Sequence, residues 1–135
     1  DTFGPGDTRK KLFAIWSNIA TTGDTMEMSP GDQVVDICYI DNVIDAYEQL
    51  MKLVAEDTQR TLAGQSFAVS SGQEHSLKEL AKIFEREAGK KLHIHWGTKP
   101  YRPREIMLPW EDGKLVPGWH PRISLEEGIR RTYHE

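Results

Sequence analysis

Between Gly31 and Ala55 the apolar pattern changes its period once. Val34, Ile37 and Ile40, with Tyr39 among them, make a β-prone run. A run this short reads as strand or helix according to its flanks. Val43, Tyr47, Leu50, Met51 and Val54 then recur at i, i+4, i+7, i+8 and i+11, the one-sided stripe of a helix over about 42–55. Asp41 stands where an N-cap carboxylate would accept from first-turn N–H groups. The same reading gives a helix over 9–21, with Leu12, Ile15, Trp16 and Ile19 inward, Asp7 or Thr8 as cap and Gly23 as stop. Ser76 and Glu79 form a capping box for a helix over 77–88 that buries Leu77, Leu80, Ala81 and Phe84. Gly89 ends it in a left-handed turn. A second box at Ser124 and Glu127 opens a helix over 125–133 carrying Gly128, Ile129 and Tyr133.

Strands are expected near 34–40, 66–70 and 92–96, with a polar surface loop over 56–66. In the last strand Leu92, Ile94 and Trp96 share one side, and His93 and His95 the other. The fold class is therefore α/β, short strands with about four helices. The chain's 135 residues suffice for one compact domain spanning 1–135. Its 38% hydrophobic and 28% charged content is that of a globular protein rather than a disordered one. A net charge of −4 gives no expectation of nucleic acid or of an anionic membrane as partner. No apolar run approaches the ~20 residues of a membrane span. The lone Cys38 excludes an internal disulfide, fits a cytoplasmic location and reads as a buried free thiol.

Candidate chemistry lies in two basic stretches. Arg9-Lys10-Lys11-Leu12 puts three cations at a helix start, where they add to the positive end of the helix dipole and suit a phosphate. A solvated basic turn is the plain alternative. Lys99-Pro100-Tyr101-Arg102-Pro103-Arg104-Glu105 is a stiff basic loop that is hard to justify as core. Met26 and Met28 could cover a base face or fill a gap in the core. His93 and His95 at i, i+2 could ligate a metal, but no suitably spaced third ligand accompanies them, so exposed strand histidines and no metal are expected.

Several of these stretches, in order, resemble the extended short-chain dehydrogenases/reductases (the NAD-dependent epimerase/dehydratase family) that act on nucleotide sugars. Thr2-Phe3-Gly4-Pro5 is similar to the family's Asn-x-Tyr-Gly-Pro turn. Asp36, Tyr39, Ile40 and Val43 match its Arg-Asp-φ-x-Tyr-Val-x-Asp-Val stretch, where φ is apolar. Val35 there replaces an Arg that grips the substrate diphosphate, and Asn42 replaces an Asp. Ser71-Gly72 with Ser76-Leu77-x-Glu79-Leu80, Arg102-Pro103-Arg104-Glu105, Pro117-Gly118-Trp119-x-Pro121 and Leu125-Glu126-Glu127-Gly128-Ile129 extend the match. The resemblance implies that Lys11, Leu12 and Arg102 contact the diphosphate, that Arg104, in place of a family Gly, supplies the charge lost at Val35, and that Met26 and Met28 lie along the nucleobase. It implies a C-terminal, substrate-binding part of an extended Rossmann-type enzyme. The closest-looking branch makes CDP- or dTDP-linked deoxyhexoses for O-antigens, and its members would work as homodimers.

Two elements of such enzymes have no counterpart in the sequence. A Gly-rich turn that lets backbone approach a dinucleotide pyrophosphate does not occur among the eleven glycines. The positions four after Tyr39, Tyr47 and Tyr101 are Val43, Met51 and Glu105, so no Tyr-x-x-x-Lys pair exists for proton transfer. The catalytic residues and the NAD or NADP site are accordingly expected in a preceding dinucleotide-binding domain, consistent with an opening that reads as the middle of a longer protein. The chain alone is expected to be inactive and to bind no dinucleotide. A stand-alone nucleotide-sugar-binding module and an assembly domain are the other function classes.

Overall fold

The computed structural model describes residues 1–134. Ten elements follow in order: β1 (Thr2–Phe3), α1 (Leu12–Thr22), β2 (Thr25–Met28), β3 (Val34–Asp36), β4 (Cys38–Tyr39), α2 (Ile40–Glu56), β5 (Glu74–Ser76), α3 (Leu77–Ala88), β6 (His93–Trp96) and α4 (Leu125–Tyr133). The strands form three separate pairs. β1 with β4 and β2 with β6 are parallel, and β3 with β5 is antiparallel. The α/β class and the four helices are those read from the sequence.

The expected strand over 34–40 is two strands, because it changes partner. Val34–Asp36 pairs with β5, whereas Cys38–Tyr39 pairs with β1. Residues 66–70 make no strand. Ala68 forms one isolated bridge to Leu115, and its N–H donates to the Lys114 carbonyl at 2.7 Å. Phe67 and Val69 instead pack against a small second cluster of Ala46, Val116 and Trp119. The expected strand at 92–96 is present as His93–Trp96, with both histidines exposed.

Capping follows the expectation fully at α3 and by half at α4, where the Glu127 carboxylate holds Arg130 and Arg131 instead of closing the box, and departs from it at the starts of α1 and α2. Ser76 Oγ accepts from Glu79 N–H while Glu79 accepts from Ser76 N–H, and Gly89 closes α3 at φ 64°. Ser124 accepts from Glu127 N–H at the start of α4. α1 starts at Leu12, not at residue 9. Asp7 is taken by the Arg9 backbone N–H and guanidinium, which holds 7–11 as a turn. The N-cap is Lys11 in extended conformation, so neither Asp7 nor Thr8 caps the helix. Asp41 is not an N-cap either. Tyr39 holds that position, and Asp41 lies in the first turn.

The main core joins Phe3, Phe13, Trp16, Tyr39, Leu80, Phe84, Leu125 and Ile129, among others. Gly128 lets α4 approach the β1–β4 pair, since a Cβ there would lie 2.7 Å from the Tyr39 ring and 2.8 Å from Phe3. The apolar stripe of α2 does not face this core. Ala46 and Asn42 are its buried residues, while Tyr47, Met51 and Val54 are 63%, 63% and 58% exposed. Periodicity gave the stripe correctly but not its surroundings.

Asn42 is 1% exposed and carries a long-range joint. Its Oδ1 accepts from the N–H groups of Arg122 and Ile123, both at 3.0 Å, and its Nδ2 donates to the Ile123 carbonyl at 2.7 Å. Asn42→Ala would orphan all three backbone groups. At ~1–3 kcal/mol per buried group left unsatisfied, urea unfolding should show a loss of roughly 3 kcal/mol or more. A loss below ~1 kcal/mol would mean that water replaces the amide.

Glu87 on α3 ties α4 through Arg130 and also accepts from Arg86. The Arg86 hydrogen bond, with Arg130 behind it, holds its carboxyl below the usual glutamate range. A depressed folded-state value stabilises above the unfolded glutamate pKa of ~4.3, and that contribution is lost as pH falls through the folded value. Thermal unfolding scans should therefore show a stability plateau above pH ~5 and a decline in acid. Glu87→Gln should flatten part of the decline, and an unchanged acid limb would remove Glu87 from the linkage.

Candidate functional site

The loop after β6 is tethered at both ends. Gly97 and Lys99 donate to the Met28 carbonyl at 3.0 and 3.2 Å. Tyr101 Oη donates to the Asp32 carboxylate and accepts from Asp32 N–H, each at 3.2 Å. Lys78 Nζ holds the same carboxylate at 3.1 Å. At the far end the Met107 carbonyl accepts from Val34 N–H at 2.8 Å. Arg102 and Arg104 thus project from a loop fixed on β2, β3 and β6.

Within the loop, Arg102 Nε and Nη2 donate to Glu105 at 3.2 and 3.3 Å, and Glu105 N–H donates back to the Arg102 carbonyl at 3.0 Å. The guanidinium, through that hydrogen bond, holds the Glu105 carboxyl below its usual range. The Arg102 side chain is 85% exposed and that of Glu105 only 13%. Arg104 sits at φ 63°. Left-handed backbone costs a non-glycine residue ~1–2 kcal/mol, which explains the glycine that the family resemblance places there. This chain carries a cation at a position whose backbone favours glycine.

A hollow that the loop touches at Lys99 has a volume of about 760 Å³. Ile15 and Ile19 of α1 and Met26 of β2 supply apolar walls, and Asp24, Thr25, Glu27, His95 and Lys99 the polar ones. Glu27 and His95 are register partners across the parallel β2–β6 pair, which brings them to one face. The sequence reading does not single out Glu27, and it weighs His95 only with His93 as a metal ligand. Only pairing between distant strands exposes their proximity.

The remaining candidates lie on several elements, and of them only Met26 lines the hollow. Met26 lines the hollow and packs partly against the core, whereas Met28 is 9% exposed and belongs to the core. Leu12 also packs against the core. Lys11 Nζ holds the Asp1 carboxylate at 3.1 Å, so Lys11 and Arg102 each neutralise a carboxylate of their own. Val35 is half-buried against the core and offers no charge. Cys38 is a buried thiol, and burial pushes its pKa up. Among the described residues, no three His, Cys, Asp or Glu side chains converge on a point that could hold a metal ion. No helix among them is long and apolar enough to cross a membrane.

No family model matches the chain. Over 128 residues, 95% of the chain, it is 26% identical to a CDP-abequose synthase of Yersinia pseudotuberculosis, spanning 42% of that protein. A shorter stretch of 68 residues, 48% of the chain and 20% of the relative, is 41% identical to a putative GDP-L-fucose synthase 2 of Arabidopsis thaliana. In fold it matches the UDP-glucuronic acid 4-epimerase of Bacillus cereus, with a TM-score of 0.79 at 19% identity, over 98% of this chain and 41% of that one. The UDP-glucose 4-epimerase of Thermotoga maritima gives a TM-score of 0.75 at 21% identity, over 98% and 42%. The chain spans less than half the length of these proteins. Nearly the whole chain is thus similar to CDP-abequose synthases in sequence and has the fold of the corresponding part of nucleotide-sugar epimerases, which supports the resemblance to the extended short-chain dehydrogenase/reductase, or NAD-dependent epimerase/dehydratase, family.

Proposed function

We propose that this chain is the nucleotide-sugar-binding, C-terminal portion of an NAD(P)-dependent epimerase, dehydratase or reductase. The observation that carries this reading is the tethered basic loop that presents Arg102 and Arg104 and whose Lys99 lines a hollow with apolar walls. The guanidinium fork of Arg102 suits phosphate oxygens. The apolar walls at Ile15, Ile19 and Met26 suit a base, and Lys99 brings a further cation to its edge. Lys11, at the N-cap of α1, is the second phosphate candidate. Of the expected base contacts, Met26 fits this role better than the buried Met28.

No dinucleotide site is expected on this chain. The β4 to α2 and β5 to α3 junctions pass through Tyr39-Ile40 and Ser76-Leu77 and contain no glycine, and the β1 to α1 turn carries Gly4 and Gly6 but has Arg9 where a G-x-G-x-x-G turn needs its third glycine. Backbone cannot approach a pyrophosphate there as it does in a Gly-rich turn. The NAD(P) site and the proton-transfer residues are placed in a preceding domain of the whole protein. That protein is proposed to act in the cytoplasm, as a homodimer, on a CDP- or dTDP-linked deoxyhexose. The CDP-abequose synthases among its relatives favour CDP. The exposed face of α2 and the exposed Ile106, Leu108 and Trp110 are surfaces for the rest of such an enzyme.

Two measurements test the reading. In the whole protein Arg102→Ala removes a charged hydrogen bond of ~1.5–3 kcal/mol, so nucleotide-sugar affinity should fall roughly 10- to 100-fold with melting temperature unchanged. Calorimetry with CDP and dTDP against cytidine and thymidine separates the phosphate part. A mutant that keeps the diphosphate-dependent affinity would move the phosphate site elsewhere. Titration of NAD(H) and NADP(H) into the 135-residue chain should show no binding, and micromolar affinity for either would place the cofactor site here after all.

A further inference from the structure

The hollow between α1 and β2 is divided by polarity. Its volume of about 760 Å³ is that of a small-molecule site, and Ile15, Ile19 and Met26 cover one side of it. Polar groups on β2, on β6 and at Lys99 cover the other. A flat heterocycle with polar edges fits such a division, its faces against the apolar side chains and its edge against the polar ones. The polar wall then decides which heterocycle is accepted.

Two carboxylates line that wall, and they differ. Asp24 is engaged, accepting from Thr22 Oγ1 at 2.7 Å. Glu27 is exposed, and no hydrogen bond or ion pair to another described residue occupies its side chain. Along β2 side chains alternate between faces, so Glu27 lies on the face opposite Met26 while both reach the hollow. The parallel register sets His95 beside Glu27, and that ring is likewise exposed and without a partner among the described residues. An ionised carboxylate only accepts hydrogen bonds, whereas an imidazole has an N–H to donate in either neutral tautomer and in the cation. The hollow therefore presents an acceptor and a donor side by side, both uncommitted and both open to solvent.

We propose that Glu27 selects the base of the nucleotide sugar: it accepts from the exocyclic amine of a base that has one, and it disfavours uracil and thymine, which have none. Carboxylates accept in this way from the amine of cytosine, whereas thymine presents a carbonyl acceptor at the same place. The one ring N–H of uracil or thymine that a carboxylate could reach is flanked by two carbonyl oxygens, which repel it. In cytosine and adenine the amine stands next to an unprotonated ring nitrogen, an acceptor for His95. In guanine the amine and the adjacent ring N–H both face the carboxylate, and the carbonyl beyond them accepts from His95. The inference rests on the nucleotide-sugar reading above and sharpens it, since it removes dTDP-linked sugars from the substrates.

The test is calorimetry on the whole protein with CDP, ADP, GDP, UDP and dTDP. At least one of the first three should bind roughly 10-fold or more tightly than UDP and dTDP, the scale on which one good polar contact separates bases. The tightest of them identifies the base. Glu27→Gln replaces the carboxylate by an amide that both accepts and donates, so it should strengthen UDP and dTDP binding and remove most of the preference. Glu27 is exposed, so the melting temperature should not change. His95→Ala should weaken the preferred diphosphate roughly 5-fold, the scale of one neutral hydrogen bond. Should Glu27→Gln fail to fold, the wild-type order of affinities and Glu27→Ala decide. Equal affinities, a preference for UDP or dTDP, or a preference unchanged in Glu27→Gln overturns this inference and leaves the nucleotide-sugar reading standing. Binding of none of the five diphosphates overturns both.

Discussion

The packing of one ring, Phe13, fixes the geometry on which the site depends. It lies 4.8 Å from the ring of Phe3 on β1, 5.5 Å from Phe84 on α3 and 6.2 Å from Tyr133 on α4, with Trp16 of its own helix at 5.8 Å. Each such aromatic pair contributes ~0.5–1.5 kcal/mol beyond the area it buries. Four elements are thereby referred to one point in the second residue of α1. Lys11 stands two residues before that point, and Ile15 and Ile19 follow it along the helix to the wall of the hollow. The site's α1 side cannot shift without moving the core. Its other side, the loop at 97–107, is held independently by hydrogen bonds to β2 and β3.

How much of this could be read from the sequence follows from how local each determinant is. Ser76 with Glu79, Gly23 and Gly89 act within one turn, so their roles were legible. The alternation at 92–96 needed only neighbours i and i+2. Partner exchange by a strand is not local. Nothing in Val34 to Tyr39 says that its first half meets residues 74–76 and its second half residues 2–3. Asp41 and Asn42 show the same limit. By type either can cap a helix, and α2 is capped by neither. Asn42 instead turns its amide to a segment 80 residues away. Likewise the α2 stripe is apolar whether or not anything covers it.

The site divides in the same way. The basic loop stood out by composition, because prolines and arginines together rarely make core, and the family resemblance supplied a role for Arg102. The hollow's polar wall did not stand out. Glu27 and His95 are ordinary surface residues until the β2–β6 register joins them.

The Arg102–Glu105 pair holds an exposed guanidinium in a defined place. A surface ion pair contributes only ~0–1 kcal/mol, whereas a charged hydrogen bond to a phosphate contributes ~1.5–3 kcal/mol. Exchanging Glu105 for a phosphate oxygen would trade one anionic partner of the guanidinium for another. Until then the pair limits the rotamers that Arg102 would otherwise explore, which lowers the ordering cost of binding. Glu105 is the partner suited to this task, because it is itself nearly buried and fixed by its backbone N–H on the Arg102 carbonyl. The left-handed Arg104 between them has a related logic. A turn that closes Arg102 onto Glu105 requires positive φ at that position. Glycine would meet the requirement without strain, and arginine meets it at ~1–2 kcal/mol while adding a charge next to Arg102.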